Sequence, residues 1–207
     1  MATRLTRKEK SELLAATDRP FWAQGLVVAG MDEVGRGPLL GNVVTACVVM
    51  PAEPILEWVD DSKKLSEARR ESVYEDILRL ALYVGVGQCT PQEIDEINIL
   101  QATKKAMREA AMQVPADVFL VDAVSNLGLK GTEIPIIHGD ASSYSIAAAS
   151  IVAKVTRDRQ MIELDRLHPE YGFAKHKGYG TPRHLEAIRK YGLLPEHRRS
   201  FLKNIVL

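Results

Sequence analysis

The sequence is poor in cysteine: Cys47 and Cys89 are the only two among 207 residues. They lie far apart, each inside an apolar stretch, which argues against a disulfide framework and for buried thiols in a reducing compartment. Long hydrophobic runs are missing as well, and nothing approaches the ~18 apolar residues of a membrane span. The opening segment MATRLTRKEKSELLAATDRP has neither an apolar core nor a small-residue cleavage site. No secretory leader is therefore expected, and the cytoplasm is the expected location. Internal repeats and low-complexity stretches are absent, which excludes solenoids and repeat arrays. Net charge is zero, with 27 Lys and Arg against 27 Asp and Glu, so total charge does not mark the chain as a polyanion binder.

What is present suffices for one core. With 46% hydrophobic and 26% charged residues, the chain reads as globular, at a length that suits one domain with a small appendage. Charge is unevenly spread. Residues 151–207 carry twelve basic and six acidic side chains, so a basic end adjoins an acidic body. Residues 1–17 predict a surface helix stopped by Asp18, Arg19 and Pro20. The Val-rich runs 25–31 and 42–50, separated by the turn-like GRGPLLG, predict two buried strands. A helix is expected from Ser66 to about Leu80 and a strand over 82–88. Thr90-Pro91-Gln92-Glu93 has the form of a capping box, so a helix should begin there and run to about residue 112. Further strands are expected over 117–121 and 134–137, followed by one long helix from Ser142 to Leu167 whose small residues allow close packing. A capped helix starts at Thr181-Pro182. The expected architecture is α/β with a central mixed sheet flanked by helices, a domain over 1–170 and a basic helical appendage over 171–207.

The acids carry the functional signal. Asp32 and Glu33 interrupt an apolar strand exit, Asp122 ends a second strand, and Asp140 follows a third just before a helix. A half-buried carboxylate costs several kcal/mol (about that order) unless something positive satisfies it. Several together repel one another, so a cation is the natural partner. Oxygen ligands with no Cys or His cluster select Mg²⁺ or Mn²⁺ over zinc, and four carboxylates can hold two ions for in-line phosphoryl displacement. Taken singly, each acid reads equally well as a turn residue or a helix cap.

The segments MDEVGRGPLLG (31–41), DSKKLS (61–66), IDEINILQAT (94–103), VD (121–122), GDASSYSIAAASIVAKVTRDR (139–159), YGFAKHKGYGT (171–181) and HRRSF (197–201) together resemble bacterial ribonuclease HII, in the right order. The resemblance implies a ribonuclease H-like fold and hydrolysis of RNA–DNA hybrids or of duplex DNA carrying single ribonucleotides. It places the family's metal-binding, catalytic acids on Asp32, Glu33, Asp122 and Asp140, with two Mg²⁺ or Mn²⁺ ions during catalysis. Cleavage leaves a 3′-hydroxyl and a 5′-phosphate. Its ribose-reading element falls on Gly35, Arg36 and Gly37, its junction-sensing tyrosine on Tyr179, and its phosphate-side lysines on Lys63 and Lys64. Lys175, Lys177, Arg183, Arg198 and Arg199, set among Tyr171 and Phe173, are expected to line the duplex backbone. His168, His176, His184 and His197 lack zinc spacing and are read as phosphate or solvent contacts. Two positions depart from the family: Ala123 stands where many relatives have Gly, and His138 where many have Lys. An imidazole beside Asp140 would make activity pH-dependent below neutrality.

Alternatives are a ribonuclease HIII-like enzyme, another nuclease of the superfamily, or a non-catalytic hybrid-binding module. The segment before Gly25 is too short for the extra domain of the first, Gly35-Arg36-Gly37 disfavours the second, and four retained acids disfavour the third. No sliding-clamp peptide is seen, so no clamp partner is expected, and the chain is expected to be a monomer.

Overall fold

The computed structural model describes residues 5–203. Five strands, β1 (Val28–Val34), β2 (Val43–Val49), β3 (Tyr83–Cys89), β4 (Val118–Asp122) and β5 (Thr132–Ile136), form one sheet in the order β3-β2-β1-β4-β5. β2 lies antiparallel to β1 and β3, whereas β1, β4 and β5 run parallel. The sheet is mixed, as expected. Its parallel half matters most, because parallel strands end at one edge, where open α/β sheets keep their sites.

Helices cover both faces. The long α5 (Tyr144–Leu167) packs on one face with α1 (Arg7–Trp22) and α2 (Glu67–Leu80), around Ala46, Val48, Ala148 and Val152. On the other face, α4 (Ile99–Ala111) brings Met107 and Ala110 against Met31, Cys47 and Val121. Gly30 in β1 permits the α5 contact: a Cβ there would lie 2.0 Å from the Ser145 carbonyl carbon and 2.2 Å from Ile146 N. Cys47 and Cys89 are free and buried, and burial pushes the Cys47 thiol up to about 12 and that of Cys89 to about 11. No helix among the described residues is long and apolar enough to cross a membrane.

Three sequence expectations need correction. α1 does not stop at Asp18, Arg19 and Pro20 but continues to Trp22 with Pro20 inside it. Asp18 is buried and accepts from Ser143 Oγ (3.0 Å), Tyr144 N (3.0 Å) and Ser145 N (3.1 Å). It caps another helix, and this anchoring outweighs the single backbone bond that proline forfeits. Second, the capping box at Thr90 forms, but the helix it opens, α3 (Pro91–Ile97), ends at Asn98 with φ 67°. The Asn98 side chain then caps α4 by accepting from Leu100 N and Gln101 N. Asparagine tolerates the left-handed region better than most residues, which lets one chain segment make two helices.

Third, three of the four carboxy-terminal histidines are core residues. α6 (Phe173–His176), α7 (Pro182–Tyr191) and α8 (Arg199–Leu202) surround a cluster of Leu39, Leu40, Met161, Tyr171, Phe173 and Ile188. His176, His184 and His197 are buried beside it. His197 Nδ1 accepts from Leu194 N (2.9 Å), which leaves its Nε2–H to donate to His184 Nε2 (3.1 Å); His184 Nδ1–H then donates to Tyr179 O (3.0 Å). This assignment of tautomers satisfies every contact. Burial and the neighbouring His184 hold His197 down at about 4, and because both rings are buried with their nitrogens bonded internally, neither can serve as a phosphate contact.

Candidate active site

The parallel strands bring the four acids to one edge. The last rung between β1 and β4 is Met31 opposite Val121, so Asp32 and Asp122 are the next residues on adjoining strands. Asp122 is opposite Ile136 on β5. Asp140 follows in the short 3₁₀ turn Gly139–Ala141, which Asp122 ties down by accepting from Gly139 N at 2.7 Å.

Their electrostatics is unfavourable as it stands. Asp32 is only 6% exposed, and burial, then Glu33, Asp122 and Asp140, raise its carboxyl well above the ordinary range. Burial also raises Glu33 against the pull of Arg36, whose Nη1 lies 3.3 Å from Glu33 Oε1. Asp122 is raised by burial and by Asp140, with the Gly139 N–H working the other way. Lys63 Nζ stands 3.4 Å from Asp140 Oδ2, and the carboxylates of Asp140, Asp61 and Asp32 raise its pKa despite burial. Two exposed cations thus face four acids. Glu33 Oε2 is buried without a hydrogen-bond partner.

An all-oxygen donor set with an orphaned buried carboxylate oxygen fits hard divalent cations. Among the described residues, no three His, Cys, Asp or Glu side chains already stand in a metal-holding arrangement. Neighbouring carboxylates help to raise Asp32, Glu33 and Asp122, as repelling acids at one sheet edge do.

Two positions singled out in the sequence have left-handed backbones. Ala123, directly after Asp122, has φ 50°, and His138 has φ 55°. The left-handed region costs a non-glycine residue ~1–2 kcal/mol, so glycine would be the less strained choice at 123. Ala123→Gly is expected to raise stability by about 0–1 kcal/mol, the released strain being partly offset by the entropy of an unfolded glycine. A lowered urea midpoint would contradict this.

Beside the acids lies the loop between β1 and β2. Gly35 has φ 93°, and a Cβ on it would stand 2.3 Å from Arg157 Nε. A Cβ on Gly37 would lie 3.5 Å from Tyr179 Cε1, so the half-exposed Tyr179 ring covers that glycine. The structure thus joins two segments 142 positions apart in sequence. Lys175, Arg183 and Arg199 are exposed. Lys177 is mostly covered and pairs with Glu67 (3.7 Å), and Lys64 pairs with Asp60 (3.6 Å) and Asp61 (3.7 Å) rather than with the four acids.

Arg198 corrects an expectation outright. It is fully buried and donates to main-chain carbonyls, so it cannot line a duplex backbone. Buried Arg157 plays a similar part and was not among the expected site residues. Its only local sign is a charged residue following the small, apolar first half of α5.

A family model described as Ribonuclease HII matches residues 29–204. The chain belongs to the ribonuclease HII family. Ribonuclease HII of Ruminiclostridium cellulolyticum is 50% identical over 201 residues, covering 96% of this chain and 79% of that one. Among solved structures, the PCNA:RNase HII complex from Archaeoglobus fulgidus contains a chain of TM-score 0.75 and 27% identity, covering 88% of this chain and 96% of that one. Bst-RNase HIII in complex with Mn²⁺ has a TM-score of 0.62 at 15% identity over 97% of this chain and 70% of that one, a likeness of fold alone. The family places this chain among type 2 ribonucleases H, metal-dependent endoribonucleases acting on RNA–DNA hybrids.

Proposed function

We propose that the chain cuts the RNA strand of RNA–DNA hybrids and the 5′ side of single ribonucleotides in duplex DNA, leaving 3′-hydroxyl and 5′-phosphate ends. In this reading Asp32, Glu33, Asp122 and Asp140 hold two divalent ions, Mg²⁺ or Mn²⁺. Such ions, when bound, activate a water and neutralise charge developing on the phosphate. The observation that carries the reading is the presence of buried and half-buried, mutually repelling carboxylates at one sheet edge beside the loop that Tyr179 covers.

The remaining residues supply recognition. Backbone groups of Gly35, Arg36 and Gly37 approach the 2′-hydroxyl, the group that separates RNA from DNA. Tyr179, about half exposed at 47%, offers a ring face to the sugar at the junction. Lys63 has its ammonium beside Asp140 and serves the phosphate side. Lys175, Arg183 and Arg199 provide non-specific attraction to the duplex. The protein works as a monomer in the cytoplasm, removing ribonucleotides from DNA.

A labelled duplex with one ribonucleotide, incubated with Mg²⁺ or Mn²⁺, tests the reading against an all-DNA control. Metal-dependent cutting 5′ of the ribonucleotide is expected, and Asp122→Asn should slow it by about 10²–10³-fold or more. Equal cutting of the all-DNA duplex would point instead to a nuclease indifferent to the 2′-hydroxyl. Tight binding without cutting would point to a non-catalytic module.

A further inference from the structure

Two buried arginines lie under the loop that reads the ribose, and neither donates to a carboxylate. Arg198 donates from Nη2 to Gly35 O (2.7 Å) and Gly41 O (2.7 Å), from Nη1 to Pro38 O (2.9 Å) and Arg36 O (3.2 Å), and from Nε to Gly41 O (2.9 Å). Arg157 donates from Nε to Asn42 O (3.1 Å), from Nη2 to Leu40 O (3.0 Å) and from Nη1 to Lys177 O (3.0 Å). The Arg198 backbone N–H also donates to Leu39 O at 2.8 Å. Together they engage almost every carbonyl from Gly35 to Asn42, and Arg157 alone reaches across to the segment bearing Tyr179.

The consequence follows from the planar trans peptide, in which the C=O of one residue and the N–H of the next point in opposite directions. Holding Gly35 O and Arg36 O inward on Arg198 turns the N–H groups of Arg36 and Gly37 outward. No hydrogen bond among the described residues uses either of them. The neighbouring N–H groups obey the same rule and are taken: Leu39 N donates to Gly178 O (2.9 Å) and Gly41 N to Glu196 O (2.9 Å). The first of these, like Arg157, ties the loop to the Tyr179 segment.

We propose that Arg157 and Arg198 are positioning residues that aim the Arg36 and Gly37 N–H groups at the substrate and fix the distance between this loop and Tyr179. The inference rests on the ribonucleotide-cutting reading above. Both guanidiniums act from below, touching neither substrate nor the four acids. A lysine in either place keeps the charge but loses the planar fork that serves several carbonyls at once.

The test uses the full chain with Arg198→Lys and Arg157→Lys as separate variants. Steady-state cleavage of the single-ribonucleotide duplex is measured beside Mn²⁺ affinity by calorimetry and the thermal transition. Because each variant loses oriented charge-assisted bonds, KM is expected to rise about tenfold or more while kcat falls far less. Mn²⁺ affinity should stay at the parent's value. Folded variants with the parent's KM would overturn the proposal, as would a loss of Mn²⁺ affinity in parallel with activity, or loss of the native transition in both variants. Those last results would leave the arginines with a purely structural role. A parent protein that cuts neither hybrid nor ribonucleotide-bearing duplex would instead overturn the functional reading, and this inference with it.

Discussion

Asp32→Asn is expected to abolish cleavage and, at the same time, to stabilise the metal-free protein. Asp32 is buried, and burial together with Glu33, Asp122 and Asp140 opposes its ionisation. An amide has nearly the same shape, retains an acceptor for the Glu33 N–H that Asp32 Oδ1 now binds at 2.7 Å, and carries no charge. Removing one of several repelling charges from a functional site commonly gains about 0.5–2 kcal/mol. Activity should fall by about 10²–10³-fold or more, because the amide is a poor ligand for a hard cation.

The same shifts set a pH dependence for the metal-free parent. Asp32, Glu33 and Asp122 all have folded pKa values above their ordinary values of 3.8, 4.5 and 3.8. A folded state that holds protons more tightly than the unfolded chain is favoured at low pH. That contribution is fully present below about pH 4 and is lost as pH rises through the ordinary values toward the raised ones. Bound Mn²⁺ replaces the protons as counter-charge, so added metal should raise the parent's thermal midpoint above this window. The gain in Asp32→Asn should be much smaller. Urea or thermal denaturation of both proteins, with chelator and with Mn²⁺, gives the answer. A variant less stable than the parent in chelator would contradict the repulsion argument.

Gly30→Ala is expected to cost the fold itself. The added Cβ would sit 2.0 Å from Ser145 C, 2.1 Å from Ser145 O and 2.2 Å from Ile146 N, all of them backbone atoms. A side chain can rotate away from such a clash, but a helix turn can only move as a body. The first turn of α5 is pinned by Asp18 and follows the Asp140 turn directly. Relief would therefore separate β1 from α5 and displace an acid as well. Losses beyond about 4–5 kcal/mol are exceptional for a single substitution, and overpacking against backbone is one of the few causes. The variant is expected to be insoluble or to unfold at a much lower urea midpoint, with activity lost in any soluble fraction. An unfolding free energy within about 1 kcal/mol of the parent's would mean that α5 can shift without penalty.

The four acids stood out as candidates from sequence because together they interrupt or follow apolar strands, although each alone fits a turn or a helix cap. Asp32-Glu33 after GLVVAGM and Asp122 after VFLV break apolar patterns that otherwise predict buried strands. Alternating elements, the capping box at Thr90 and the small residues of α5 likewise stated the α/β class, since each is a local preference readable within a few residues. The break at Asn98 was local too, but the continuous helical pattern around it concealed it.

Tertiary structure decided the rest. Asp18 caps α5 across 125 positions, and Arg198 reaches Gly35 across 163. Arg198 and Lys175 look alike as letters in a basic segment, yet one is buried under a loop and the other stands in solvent. A charged side chain is read as exposed unless its partners are known, and here the partners are backbone carbonyls, which every residue possesses and no sequence pattern marks. The sequence alone thus determined which residues are candidates for the site, because buried carboxylates are costly wherever they fall. Which cations stand in solvent and which hold the loop between β1 and β2 was set only when the chain closed on itself.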